Sequence, residues 1–221
     1  MSPSMTPIQL ARAAAVRLVI RFGLLVGLAA LSGCAAISTL NSASQSLDTF
    51  DLSASVVPPG APTRSSRVLL VATPTASSAI ATDRMVIKPN PLQIKYLPDG
   101  RWVDAAPMHV QALLIRSIGN SGGVAFVGGD TAGPLPDYVL LTDLQAFQAE
   151  VGPPSQVLVR MSLTLVRDID RRVIASRTFE TTVNLGSTDA MPVAAAFNAA
   201  MAGLLRQATV WTVSAMGGRV S

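Results

Sequence analysis

The chain has 221 residues, of which 49% are hydrophobic and 14% charged, and it contains a single cysteine. These values exclude a disordered chain, a collagen-like chain and a disulfide-stapled scaffold, and they leave room for one ordinary domain. The formal net charge is +4, but three of the 17 basic residues, Arg12, Arg17 and Arg21, lie in the first 33 positions, where there is no acidic residue. The remaining 14 basic residues nearly balance 13 acidic ones, so we expect no nucleic-acid partner.

Residues 1–33 are typical of an export signal, with arginines followed by an apolar run, Phe22–Leu31. The run has ten residues, about half of the roughly 20 that a membrane-spanning helix needs. A membrane-spanning anchor is the alternative, although extending the run upstream would place Arg21 and Arg17 in hydrocarbon. We therefore predict that this segment directs export and is not part of the fold.

The four residues Leu31, Ser32, Gly33 and Cys34 follow the pattern of a bacterial lipobox, in which small residues precede a cysteine that accepts a diacylglyceryl group. The alternatives are an ordinary cleavage site with a coincidental cysteine, or a small cysteine buried in a core. The single cysteine lies at the position relative to the apolar run where a lipid would be attached, which favours the lipobox. We therefore predict Cys34 as the lipid-attachment residue and Leu31, Ser32 and Gly33 as the lipobox.

A lipidated Cys34 would hold the mature chain on a membrane without crossing it, since each buried methylene contributes about 0.8 kcal/mol. The next residue is Ala35, not aspartate, and by resemblance to lipoproteins of Gram-negative bacteria this favours the outer membrane. The predicted organisation is a signal peptide over 1–33, a lipidated cysteine and flexible tether over 34–46, one domain over 47–214 and a tail over 215–221.

The first half of the domain is predicted to contain short strands and one helix. The predicted elements are an edge strand at 47–53, strands at 67–72, 83–88 and 93–97, a turn at 98–100, a helix from Pro107 to Gly119, and a strand at 124–127.

The second half is predicted as a three-strand antiparallel meander over 138–185, followed by a long helix that begins at Asp189. The middle strand has the clearest period of two, with Val157, Val159, Met161, Leu163 and Leu165 on one side. Val173, Ala175, Phe179 and Val183 are expected to continue the buried face. The apolar stripe of the helix is expected to comprise Val193, Phe197, Met201, Leu204, Ala208 and Trp211.

This order of elements predicts an α+β fold of two layers, in which two helices pack on one face of a mainly antiparallel sheet.

Few residues indicate catalysis. Gly119–Gly123 matches a Gly-x-Ser-x-Gly nucleophile elbow around Ser121, but a helix precedes it where a strand is required, and the lone His109 lies upstream. We interpret the motif as the glycine-rich end of a helix. One histidine without a cysteine or second histidine cannot form a zinc site, so we interpret His109 as a surface residue. Asp99 and Asp104 are interpreted as turn and helix-start residues, respectively. We expect no metal, no cofactor and no enzymatic activity.

Taken together, the segments resemble the ABC-type transport auxiliary lipoproteins, a family of PqiC-like accessory subunits of MCE-type (mammalian cell entry) lipid transporters. The match extends from about Leu47 to Trp211. It rests on the order and spacing of the lipobox, Val68–Val71 before Pro74, Thr82–Val86, Tyr96 before Arg101–Asp104, Asp137–Leu140, the strand with Phe147, Arg172–Phe179, and the alanine-rich helix ending at Trp211.

The resemblance implies a periplasm-facing subunit without catalytic residues, anchored at the outer membrane and partnered by the periplasmic MCE protein of an ABC transporter. A structural lipoprotein of another envelope system, associated with peptidoglycan or a Tol-like assembly, is the alternative, because such a fold does not determine function. An envelope hydrolase using Ser121 is the third. The edge strand at 47–53 could also be completed by a second copy, which makes a homo-oligomer a further expectation to test.

Trp102 lies between a turn and a helix start and is flanked by charged residues. Such a large aromatic is typical both of a lid on a core and of an anchor in a protein interface. Tyr96 and the following helix offer it apolar neighbours, which favours the lid. The core lid and the interface anchor are therefore both hypotheses for Trp102.

Overall fold

The longest strand of the fold, β7, organises the sheet. The structure, a computed structural model, describes residues 47–53, 65–130 and 133–217. The elements of these residues are β1 Asp48–Phe50, β2 Val68–Val71, β3 Thr75–Ala76, β4 Arg84–Asn90, β5 Gln93–Trp102, α1 Ala106–Asn120, β6 Phe126–Gly128, β7 Tyr138–Glu150, β8 Gln156–Arg167, β9 Val173–Asn184 and α2 Ala190–Ala215. The predicted α+β class is confirmed, and the sheet is open and mixed.

Three short strands share one edge of β7. In successive stretches of β7, β2 pairs with Tyr138–Leu140, β3 with Asp143–Leu144 and β4 with Gln148–Glu150, all in parallel. The other edge of β7 pairs with β8 along its length, and β8 pairs with β9, both antiparallel. The predicted meander is therefore confirmed, and the parallel pairings make the sheet mixed.

The period of two predicted for β8 is confirmed. Its residues Val157, Val159, Met161, Leu163 and Leu165 are fully buried, because they face the layer formed by the helices. Helix α2 packs on β8 and β9 and also contacts α1. Its apolar stripe is buried as predicted except at Trp211, which is half-buried.

The buried face predicted for β9 is only partly correct. Phe179 is buried, Ala175 and Val183 are half-buried, and Val173 is 56% exposed. The reason is a bulge: Leu165 pairs with Ala175 but Val166 pairs with Val173, so Ile174 is an extra residue. Val173 therefore lies on the opposite face of the sheet from Ala175.

The turn predicted at residues 98–100 is wrong. Strand β5 continues through these residues to Trp102, and the turn that joins β4 to β5 lies earlier in the chain, at Pro91 and Leu92. Between the pairs Arg84↔Arg101 and Val86↔Tyr96, β4 advances two positions and β5 advances five. The extra residues of β5, which include Pro98 and Gly100, therefore form an irregular bulge. Gly100 packs closely there: an added Cβ would lie 3.1 Å from Cβ of Ala190, at the start of α2, so a larger residue would need its neighbours to shift.

Two predicted helix-start roles are also corrected. The N-cap of α1 is Ala105, not Asp104, and it makes no side-chain capping bond. Asp189 does occupy the N-cap of α2, but its carboxylate accepts a hydrogen bond from the hydroxyl of Ser187 (2.8 Å) and caps no backbone amide. Neither helix therefore has a side-chain cap at its start.

The hairpin between β8 and β9 turns at residues 168–170. Arg167 donates two hydrogen bonds to the carboxylate of Asp170, at 3.0 and 2.7 Å, and Arg171 has a positive φ of 56°. The hydrogen bonds from Arg167 hold the pKa of the Asp170 carboxyl below its ordinary value. The pair closes the turn on the surface of the protein.

This pair predicts a small acid-dependent loss of stability. A lowered pKa in the folded state stabilises the fold at pH values above the ordinary carboxyl pKa of about 3.9, and this contribution is lost as the pH falls through the lowered value. In Asp170→Asn the contribution is absent at every pH. The difference in unfolding midpoint between wild type and variant should therefore shrink from pH 6 to pH 3; a constant difference would contradict this.

Candidate functional site

Trp102 lies in the core, at the end of β5. Its side chain is 1% exposed, and its ring packs against those of Phe147 on β7 (5.5 Å between centroids), Phe197 on α2 (5.1 Å) and His109 on α1 (6.1 Å). The cluster thus joins two strands and both helices. A role as an interface anchor would require the indole to leave this position.

His109 is buried, which corrects its interpretation as a surface residue. It is 1% exposed, and its Nε2 lies 2.8 Å from Oδ1 of Asp51 and 3.2 Å from the backbone nitrogen of Leu52. The periodicity of α1 could not reveal this, because this side of the helix is covered by residues 48–52, the β1 segment, more than fifty residues away in the chain. In one tautomer Nε2 donates a hydrogen bond to Asp51, and in the other it accepts one from the amide of Leu52.

His109→Leu is expected to lower the free energy of unfolding by about 1 to 3 kcal/mol, because the variant loses the hydrogen bond that the buried Nε2 forms with Asp51 or with the amide of Leu52. Denaturant unfolding measures the change. Asp51→Asn is the control: Asp51 is largely exposed, so its effect should be smaller. A His109→Leu variant as stable as wild type would show that the imidazole does not hold the β1 segment to the core.

Ser121 lies at the end of α1, as predicted for the Gly-x-Ser-x-Gly segment. Its hydroxyl donates to the carbonyl of Ile118 (2.6 Å) and accepts from the amide of Gly123 (3.2 Å), and Gly122 has a φ of 66°. His109 is twelve residues earlier along the same helix axis, about 18 Å away at 1.5 Å per residue. A nucleophile and its base must be within hydrogen-bond reach, so these two side chains do not form a catalytic pair.

The lipobox lies outside the residues that the structure describes. Cys34, Leu31, Ser32 and Gly33 therefore remain sequence predictions. Among the described helices, none is both long and apolar enough to cross a membrane. Within the same described ranges, no three His, Cys, Asp or Glu side chains come together as metal ligands.

Several shallow grooves lie on the described surface, and two of them join residues of separate elements. One, of about 400 Å³, is at the end of the sheet, where Lys88–Pro91 of the β4–β5 hairpin approaches Gly152–Pro154. The other, of about 410 Å³, runs between β9 and the second half of α2 and contains Arg177, Arg206 and Trp211. Sequence patterns did not reveal either groove, because each joins residues from separate elements.

Comparisons with known proteins agree with this fold. Protein XCC0632 from Xanthomonas campestris, of the DUF330 family, superimposes with a TM-score of 0.71 at 27% identity over 77% of this chain and 97% of its own. Another crystal structure, of an uncharacterized protein, is 11% identical with a TM-score of 0.58 over 78% of this chain and 99% of its own, and shows similarity of fold alone.

A curated relative, the uncharacterized protein bll6063 of Bradyrhizobium diazoefficiens, is 33% identical over 152 residues. The matched region is 67% of this chain and 40% of the length of that relative, so the chain spans less than half of the relative. The sequence model of the ABC-type transport auxiliary lipoprotein component matches residues 50–209, and so covers most of the described fold. The chain therefore belongs to the family of ABC-type transport auxiliary lipoprotein components, which are membrane-anchored proteins of the cell envelope.

Proposed function

We propose that the chain is a non-enzymatic accessory subunit of an MCE-type ABC lipid transport system. Lipid on Cys34 anchors it to the outer membrane, and its domain faces the periplasm, where it binds the periplasmic MCE protein. The observation that carries this proposal is the family match over residues 50–209, together with the lipobox that precedes it.

The length of the predicted tether supports a protein that is anchored in one membrane and binds a partner at a distance from that membrane. The twelve residues from Ala35 to Ser46 reach about 40 Å when extended. They are mostly small and polar, as expected of a flexible connection. The domain could therefore bind a periplasmic protein well beyond the lipid headgroups.

The geometry of the reactive side chains supports a non-enzymatic role. The hydroxyl of Ser121 bonds to the end of its own helix, and the imidazole of His109 bonds to the β1 segment and packs on Trp102. Both groups therefore stabilise the fold. This supports a domain that serves a transport system through its binding surfaces.

Affinity purification from detergent-solubilised envelopes tests the proposal. The tagged protein should recover the MCE protein, and with it the permease and ATPase of one ABC transporter, in amounts above those recovered with an unrelated outer-membrane lipoprotein. Recovery of peptidoglycan-associated or Tol components in their place would support a structural envelope lipoprotein and contradict the proposal. So would recovery of no transporter component under conditions that preserve other lipoprotein complexes.

A further inference from the structure

Strand β9 is an edge of the sheet. Its twelve residues pair with β8 on one side, and no other strand of the described residues pairs with its outer side. The strand contains no proline, and the register with β8 is regular from Ala175 to Asn184. Its outer side therefore presents unpaired backbone donors and acceptors that can form hydrogen bonds with an added strand.

The groove between β9 and α2 lies beside this edge. Trp211 lines it and packs edge-on against the buried ring of Phe179, with centroids 5.8 Å apart. Cζ of Arg177, which also lines the groove, lies 5.0 Å from the centroid of the same Phe179 ring. Helix α2 adds Arg206 and Val210, which is 40% exposed. Two guanidinium groups and an apolar surface thus line one groove.

The two arginines of the groove carry uncompensated charge. Among the described residues, no carboxylate lies within 4.0 Å of Arg177 or Arg206, whereas Arg67, Arg160 and Arg167 each have an acidic partner. Glu180 is close along β9, but it points to the other face of the sheet, where it pairs with Arg160. The groove therefore has a positive charge that an acidic ligand would neutralise.

We propose that the outer edge of β9 binds an extended, acidic segment of a partner protein as an added strand. Alternate residues of such a segment point to the same side, so an acidic side chain would meet Arg177 or Arg206 while an apolar one two positions away would meet Trp211 and Val210. The backbone bonds would supply affinity, and the arginines would select for acidic segments. This ligand chemistry does not depend on which envelope system the protein serves.

The same features argue against two other occupants. A second copy that paired its own β9 with this edge would bring four unpaired arginine side chains together, which costs free energy. A volume of about 410 Å³ is near the lower end of the range of small-molecule pockets, which suits a few side chains better than the two acyl chains of a phospholipid.

Selection of random displayed peptides on the purified full-length protein tests the proposal, with the Arg177→Ala/Arg206→Ala double variant for counter-selection. We expect enriched peptides with an acidic and an apolar residue two positions apart. Fluorescence anisotropy of a synthetic copy should show affinity about tenfold weaker for Arg177→Ala or Arg206→Ala. Arg116→Ala, at an exposed arginine of α1, is the matched control and should bind as wild type does. Peptides N-methylated at alternate positions should not bind, since they cannot form the strand.

Several results would overturn the proposal. They are the absence of any enriched peptide, enriched peptides without acidic residues, equal binding by the double variant, and binding that survives N-methylation. Phosphatidylglycerol vesicles bound with the same dependence on the two arginines, in place of a peptide, would assign the groove to lipid. Self-association measured by ultracentrifugation and lost in the double variant would assign it to a second copy.

Discussion

Trp102→Ala is expected to lower the free energy of unfolding by about 3 to 5 kcal/mol. The indole is buried at the point where β5, β7, α1 and α2 meet, and alanine would leave a cavity among Phe147, Phe197 and His109. The surrounding rings belong to separate elements of the sheet and the helix layer, so they cannot collapse freely into that space. Denaturant unfolding of the purified protein, followed by circular dichroism, measures the change.

Val103→Ala is the control for this experiment, because Val103 is the next residue and is 50% exposed. It should change the free energy of unfolding by less than about 0.5 kcal/mol. Recovery of the partner per folded molecule should be unchanged in Trp102→Ala if the tryptophan acts only in the core. A stable variant that no longer recovers the partner would show instead that Trp102 is an interface anchor.

Cys34→Ala is expected to abolish lipid attachment completely, because the chain has one cysteine and hence one thiol acceptor. The variant should accumulate at the inner membrane as a precursor that still carries its signal. Mass spectrometry of the N-terminal peptide and fractionation of the membranes measure the outcome. Ser38→Ala, in the tether, is the control and should be processed normally. Mature-length Cys34→Ala protein in the outer membrane would contradict the lipobox.

Local patterns predicted those elements in which one whole side is covered by the rest of the fold. The alternation of β8 was readable because both of its neighbours are strands and one of its faces is covered by helices along its length. The apolar stripe of α2 could be predicted because one side of the helix packs on β8 and β9. The parallel pairing of β2, β3 and β4 with β7 could not be predicted, because these strands lie far from β7 in the chain and a strand's own sequence does not show which strand it pairs with.

The residues whose interpretation failed are those whose surroundings come from distant segments. His109 looked exposed on its helix, but the β1 segment covers it. Pro98 and Gly100 have the composition of a turn, yet the same residue types also form bulges, and here they lie within β5, where Phe50 and Ala190 approach Gly100. Sequence left Trp102 with two roles for the same reason, since Phe147 and Phe197 lie far along the chain.

Photo-crosslinking in intact cells tests the central claim, that this lipoprotein serves an ABC transport system, most directly. A crosslinking amino acid is placed, one position at a time, at Thr178 on the open face of the sheet, at Val210 in the groove beside β9, and at Leu92 on the β4–β5 hairpin, all of which are exposed. Adducts identified by mass spectrometry should contain a component of one ABC transporter, the periplasmic MCE protein above all. Adducts confined to peptidoglycan-associated or Tol proteins would contradict the claim.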